Sequence, residues 1–248
     1  STHCISSAAS DVYKRQGHSA KYDYENGLPV LYLLHGAYGD AFSWVRYSNI
    51  DRYAQDRGIV VVMASAENSF YQDLRSGKKY KTFFTEELPL FIRNVFPVSR
   101  EREKTFIAGF SMGGYGAWYL ALSRPELYAK AASMSGALDI AGLYQAAAAG
   151  NNDNNPFHWE DCFGDPDKLA GSDYDLFTLY DRDVKNGCVP KLYQAVGRDD
   201  FLYPSNVYVR KLLEQKQADL TYEEDKGGHD WNFWDQYIQH ILDWMLHD

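Results

Sequence analysis

Short apolar runs alternate with amphipathic stretches along this chain, and the two periods predict different elements. Val30-Leu31-Tyr32-Leu33-Leu34 is a continuous apolar run closed by His35-Gly36, which predicts a buried parallel strand ending in a loop. Residues 59–64, 105–110, 129–135 and 191–196 read the same way, and a last short strand is predicted over 220–224. Between the first two runs, Phe42, Val45, Ile50 and Tyr53 predict a helix over 42–57, closed by Gly58. Thr85 is expected to cap a helix with Glu86 and Glu87 in its first turn and Leu88, Phe91, Ile92, Val95 and Phe96 on its inner face.

Further helices are predicted over 112–123 and 206–217, and Trp231, Trp234, Ile238, Ile241, Leu242 and Met245 mark an amphipathic closing helix. From Ala146 the period fails in an Ala-rich and then Asn-rich stretch, so residues 139–187 read as an irregular, lid-like excursion. Regular alternation elsewhere predicts an α/β fold: a mostly parallel central sheet with helices on both faces.

Length and composition narrow the class. The 248 residues suit one α/β domain over 17–248. Residues 1–16 have no periodicity, and Asp11-Val12-Tyr13-Lys14-Arg15-Gln16 looks like the translation of a transposase adapter used in DNA library preparation. They are read as a non-native or disordered tail and set aside. A formal net charge of -9 argues against nucleic acid and anionic membranes as partners, which call for clustered Lys and Arg. A small-molecule partner is expected, with a cytoplasmic location and a homo-oligomer left open. No apolar stretch is long enough to span a bilayer. The three cysteines, Cys4, Cys162 and Cys188, are too scattered for a disulfide scaffold or a metal site and are expected to be reduced.

The chemistry concentrates where the 105–110 strand runs into Gly109-Phe110-Ser111-Met112-Gly113 and then into a helix pattern. Gly-x-Ser-x-Gly alone arises by chance in roughly one chain in ten of this length. Between a buried strand and a helix it reads as a nucleophile elbow, a strained turn that exposes the Ser111 hydroxyl and needs small residues two positions either side. A serine hydroxyl is a poor nucleophile near neutral pH, so it needs a base within reach and a carboxylate to orient that base. In parallel sheets such groups gather after the carboxyl ends of strands. Gly227-Gly228-His229-Asp230 and Gly197-Arg198-Asp199-Asp200 both qualify. His229 is the expected base, while spacing alone separates Asp199 from Asp200 poorly. His35 follows a strand beside the nucleophile strand, where a His-Gly pair more often shapes an anion site. Two backbone donors should face the oxyanion: the Met112 N–H, and an N–H from the glycine-rich loop 35–40, with Ala37 best placed.

Taken together, the 31–40 segment with Trp44, the 104–116 segment, Gly197-Arg-Asp-Asp-Phe-Leu-Tyr203 and Gly228-His-Asp-Trp231 resemble the tributyrin esterase group of the esterase D family. That family also includes S-formylglutathione hydrolases and feruloyl and acetyl-xylan esterases. The resemblance covers about residues 28–246, four motifs in the family's order, and implies an α/β-hydrolase fold and a serine carboxylesterase without metal or cofactor. It assigns the acid to Asp200, so that Ser111, Asp200 and His229 form the triad, and it implies Ala37 and Met112 as oxyanion donors. Family members usually begin with one or two antiparallel strands, for which only residues 17–28 remain, so the sheet edge is expected to be truncated. Trp44, Tyr71 and Trp231 are the candidate substrate-binding residues. The leading expectation is hydrolysis of short-chain acyl esters. Feruloyl, acetyl-xylan or S-formylglutathione esters are the alternatives, and a non-catalytic binding module on the same scaffold is the reading from a different class.

Overall fold

A computed structural model describes residues 26–150 and 157–247. The expectations for the 1–16 tail, and most of the 17–28 segment that bears on a truncated edge, lie outside those residues. Six strands form one sheet in the order β2-β1-β3-β4-β5-β6, with every pair parallel. They are β1 (Val30–Leu34), β2 (Val60–Val62), β3 (Thr105–Phe110), β4 (Lys130–Met134), β5 (Lys191–Gly197) and β6 (Leu220–Asp225).

Why β1 to β4 are buried along their whole length is clear from what covers them. Val30, Tyr32 and Leu34 of β1 join one core, while Leu31 and Leu33 join another. Ile107 and Ala131 fall with the first set, and Phe106, Ala108, Phe110 and Met134 with the second. Successive side chains point to opposite faces, so two cores on alternating residues mean that the sheet is covered on both sides. The first face carries α3 (Leu88–Val95) and α4 (Met112–Ser123), and later α7 (Leu176–Asn186) and α8 (Tyr203–Gln215). On the second lie α1 (Ser43–Tyr47), α2 (Ile50–Arg57) and the closing helix α9 (Trp231–Leu246). This is a mostly parallel α/β sheet with helices on both faces, an α/β-hydrolase architecture.

Three local expectations need correction. The 42–57 helix is two helices, because Ser48 breaks it: its Oγ donates to the Trp44 carbonyl and accepts from the Ile50 N–H, which replaces the helical continuation. The buried apolar residue of the first piece is then Trp44, with Ser43 buried beside it, while Phe42 is exposed and Val45 half-buried. Thr85 caps nothing. The helix starts a turn earlier at Tyr80, passes through a π turn over Phe83–Glu87 and runs on into α3, with Thr85 Oγ1 bonded back to the Lys81 carbonyl. Within 139–187 the chain is more regular than expected, holding α5 (Ile140–Ala149), α6 (Trp159–Phe163) and α7. Asp175 caps α7, Gly187 closes it in the left-handed region, and Leu176, Leu179, Tyr180 and Asp183 form its buried face, which packs on α4. Cys162 and Cys188 are free thiols.

Candidate active site

Because all six strands run one way, the loops after them open along a single edge of the sheet. The loop after β3 brings Ser111 there at φ 56°, ψ −121°, a conformation that non-glycine residues rarely adopt and that costs about 1–3 kcal/mol. Neighbouring backbone holds it in place. The Ser111 N–H donates to Met134 O at 2.9 Å, and Ser111 O accepts from Gly114, Tyr115 and Ala137 N–H at 3.0, 3.2 and 3.2 Å. The flanking glycines are needed for close approach: a Cβ on Gly109 would lie 2.3 Å from Gly113 O, and one on Gly113 would lie 2.5 Å from His35 O. The turn is therefore pressed against the loop that follows β1.

That loop is tied down by a buried histidine. The Ala66 N–H donates to His35 Nε2 at 2.9 Å, so the proton of the neutral ring sits on Nδ1, which donates to Gly36 O at 2.7 Å. Burial pushes the His35 pKa down, outweighing that hydrogen bond and the distant charge of Asp40, and the ring stays neutral. Tyr71 Oη donates to His35 O at 2.9 Å from the other side. Ala37 follows on the cleft wall. Met112 is the first residue of α4, so its N–H has no partner within the helix.

From β5 and β6 come the remaining groups. A Cβ on Gly197 would lie 2.1 Å from Gly227 O, and this close approach sets the loop of Asp200 against the loop of His229. His229 Nδ1 lies 3.0 and 2.9 Å from the two carboxylate oxygens of Asp200. Leu202 N–H donates to Asp200 Oδ1 at 2.8 Å. Burial pushes the Asp200 pKa up, but these hydrogen bonds and the imidazole prevail and hold the carboxyl below its ordinary value. An ionised Asp200 accepts only, so neutral His229 carries its proton on Nδ1 and its lone pair on Nε2.

Ser111 and His229 line one cleft of about 520 Å³, together with Ala37, Trp231 and several other aromatic residues. The structure separates the three aromatic candidates. Trp231 lines the cleft, with its ring 4.8 Å from that of Phe110. Trp44 and Tyr71 do not line it: both are fully buried, Trp44 donating Nε1–H to Leu34 O at 3.1 Å and Tyr71 packing edge-on to Phe84. Tyr38, Phe157, Phe201 and Trp234 line the cleft and went unrecognised in the sequence. Phe201 directly follows the acid of the Gly-Arg-Asp-Asp-Phe motif and sits 4.5 Å from the imidazole ring, which is the one signal that pointed to it. Among the described residues no cluster of three or more His, Cys, Asp or Glu could hold a metal ion, and no helix is long and apolar enough to cross a membrane.

A parallel sheet covered on both faces, with a strained serine after a central strand and an imidazole on a carboxylate at the same edge, defines an α/β-hydrolase. The chain belongs to the putative esterase family, whose model matches residues 18–245. It is similar to an acetyl esterase of Caldicellulosiruptor saccharolyticus, 40% identical over 231 residues that cover 90% of this chain and 85% of that relative. Among solved structures it resembles substrate-bound FphF, a fluorophosphonate-binding serine hydrolase of Staphylococcus aureus, with TM-score 0.81 and 32% identity over 90% of this chain and 85% of that one. It also resembles the S. aureus S-formylglutathione hydrolase FrmB, with TM-score 0.80, 28% identity, and coverage of 99% of this chain and 97% of that one. The chain is a carboxylic ester hydrolase acting on small esters.

Proposed function

We propose that this esterase cleaves short-chain acyl esters, acetyl esters foremost, through an acyl-enzyme on Ser111, within the tributyrin esterase group of the esterase D family. One observation carries the reading: the Ser111 hydroxyl and a His229 ring polarised by Asp200 share one cleft. His229 Nε2 takes the Ser111 proton as Oγ attacks the ester carbonyl, and the imidazolium that forms is stabilised by Asp200. The tetrahedral oxyanion is held by the N–H groups of Ala37 and Met112, whose loops meet at the Gly113–His35 approach. Imidazolium then protonates the departing alkoxide. Water, deprotonated by the same imidazole, releases the acid and restores Ser111. No step needs a metal or cofactor. Residues 17–248 are taken as one domain, in keeping with cores that draw on residues from Leu28 to Met245.

The acetyl preference is supported by the 40% identity to an acetyl esterase and by the aromatic rings of Phe110, Trp231 and Trp234 that narrow the cleft beside Ser111. Hydrolysis of S-formylglutathione is a second reading, favoured by the near-complete coverage of FrmB. Feruloyl and acetyl-xylan esters share the same triad chemistry. Rates on p-nitrophenyl acetate and butyrate, S-formylglutathione and methyl ferulate, measured side by side, rank these substrates. Ser111→Ala should abolish turnover of all of them, and retained activity would place the nucleophile elsewhere.

A further inference from the structure

Three aromatic rings at the mouth of the cleft stay in water. Tyr38 is 71% exposed, Tyr47 59% and Phe201 73%, and all three line the cleft that holds Ser111 and His229. The rings beneath them are closed off, since Phe110 and Trp234 are buried and stack at 4.1 Å. A single exposed phenyl ring is ordinary, but several around one opening mark a surface meant to be covered. Phe201 is held there by the turn that places the triad acid. Asp200 N–H donates to Gly197 O at 3.1 Å, Tyr203 N–H donates to Asp200 O at 2.9 Å, and Leu202 N–H donates to the Asp200 carboxylate at 2.8 Å. Asp200 faces the imidazole and Leu202 is buried, so the side chain between them turns outward. Its ring lies 4.5 Å from the His229 ring, with the planes inclined by 46°.

The reaction decides which half of the ester meets that ring. His229 Nε2 hands its proton to the departing alkoxide, so the ester oxygen must come within about 3 Å of Nε2. Atoms one or two bonds beyond that oxygen then lie alongside the imidazole, where the exposed wall of the cleft is Phe201. The acyl group hangs from the carbonyl carbon on Ser111 and has no such tie to the imidazole. Charge narrows the choice further. Among the described residues that line the cleft there is no Lys or Arg, and the carboxylate there, Asp230, accepts from the Asn232 and Phe233 N–H groups at the start of α9. An anionic leaving group therefore finds no cation beside it, and an uncharged one loses nothing by entering.

We propose that Phe201 is a specificity-determining residue for the alcohol half of the ester, and that its ring packs against an uncharged leaving group with a flat ring one carbon from the ester oxygen, as in arylmethyl esters. The inference rests on the Ser111, His229 and Asp200 reading above and adds to it the part of the substrate that the aromatic mouth selects. An arylmethyl alcohol can set its ring offset or edge-on against Phe201 and cover apolar surface that water otherwise wets. A short alkyl alcohol ends before it reaches that surface. The contact is made in the bound ester and kept in the transition state, so it acts on KM more than on kcat.

The test compares kcat/KM for benzyl acetate and ethyl acetate, followed by acid release, in the native chain, Phe201→Ala and Phe201→Tyr, each checked by circular dichroism and size-exclusion chromatography. The two esters share an acyl group and have alcohols of similar leaving ability, so their ratio reads the contact made by the alcohol. Phe201→Ala should lower the benzyl-to-ethyl ratio about fivefold, the effect of one aromatic pair, chiefly through a higher KM for benzyl acetate. Phe201→Tyr keeps the ring and should hold the ratio within about twofold of the native one. A folded Phe201→Ala with an unchanged ratio would overturn the inference, as would a Phe201→Tyr that loses as much. A native dimer that Phe201→Ala converts to a monomer would assign the ring to a second copy of the chain and overturn it as well. If the native chain cleaves neither ester, or Ser111→Ala cleaves both, the nucleophile reading fails and the role of Phe201 falls with it. A native chain that cleaves both at a ratio indifferent to Phe201 leaves that reading standing and sinks this inference alone.

Discussion

Replacing Tyr71 by Phe separates a residue that meets substrate from one that supports the fold. Tyr71 is completely buried, and burial pushes its phenol pKa well above the ordinary value against the opposing His35 hydrogen bond, so it remains a donor at any working pH. The phenol hydroxyl donates at 2.9 Å to His35 O, on the residue that leads into Gly36 and Ala37. Phe keeps the ring against Phe84 but leaves that carbonyl short of a donor, at a cost of about 1–2 kcal/mol. A chain of this size loses about 2–4 °C per kcal/mol, so melting should fall by about 2–8 °C. Calorimetry and steady-state kinetics on p-nitrophenyl acetate provide the two readouts. We expect a lower Tm and a kcat reduced a few-fold by loosening of the 35–40 loop, with KM unchanged within about twofold. An unchanged Tm with a several-fold rise in KM would mean that Tyr71 reaches the ester, and would refute the placement.

Gly113→Ala puts a methyl 2.5 Å from His35 O and 2.9 Å from Leu34 O, both backbone atoms that yield only if the β1 loop and the elbow separate. Displacement of about 1 Å there should lower kcat/KM by about a hundredfold in a protein that still folds by circular dichroism, and native rates would contradict the close approach. Asp243→Asn tests a tie between α2 and α9: Arg57 Nε and a terminal guanidinium nitrogen reach the Asp243 oxygens at 2.6 and 2.9 Å. The Arg57 hydrogen bond holds the Asp243 carboxyl below its ordinary value. The pair therefore stabilises the fold above about pH 4 and loses that contribution as pH falls through the folded-state pKa. Because Asp243 is partly exposed the effect is about 0.5–1 kcal/mol, a Tm deficit of about 1–4 °C at pH 7 that closes towards pH 3. A deficit independent of pH would rule out the ion pair as its cause.

What the sequence made legible was set by how local the cause was. β1, β3, α4 and the start of α9 fall where their patterns put them, because a buried parallel strand or a caged helix needs a continuous apolar signature that few alternatives share. The break in 42–57 was not legible, since it depends on Ser48 bonding back to Trp44, an option that competes with the helix only once Trp44 is anchored to Leu34 O. α7 carried its signal openly in Asp175, Leu176, Leu179, Tyr180 and Gly187, but the Asn-rich stretch before it masked the period. At the site, Ser111 and His229 were visible because strand ends and glycine pairs mark them. Asp200 needed the family resemblance, because two adjacent loop aspartates differ only in which way they face. Trp44 and Tyr71 went astray for a related reason: aromatic residues near a motif look alike in sequence, and whether they face the cleft or the core depends on long-range packing.

If Ser111 is the nucleophile and His229, held by Asp200, activates it, the serine must react covalently with an active-site probe at a rate set by the imidazole. The most direct measurement is labelling of the folded protein with a fluorophosphonate, followed by peptide mapping and a time course on His229→Ala. One adduct per chain is expected, on Ser111, absent from Ser111→Ala and slowed by several orders of magnitude in His229→Ala. An adduct on another residue, or labelling at the native rate without the imidazole, would contradict it.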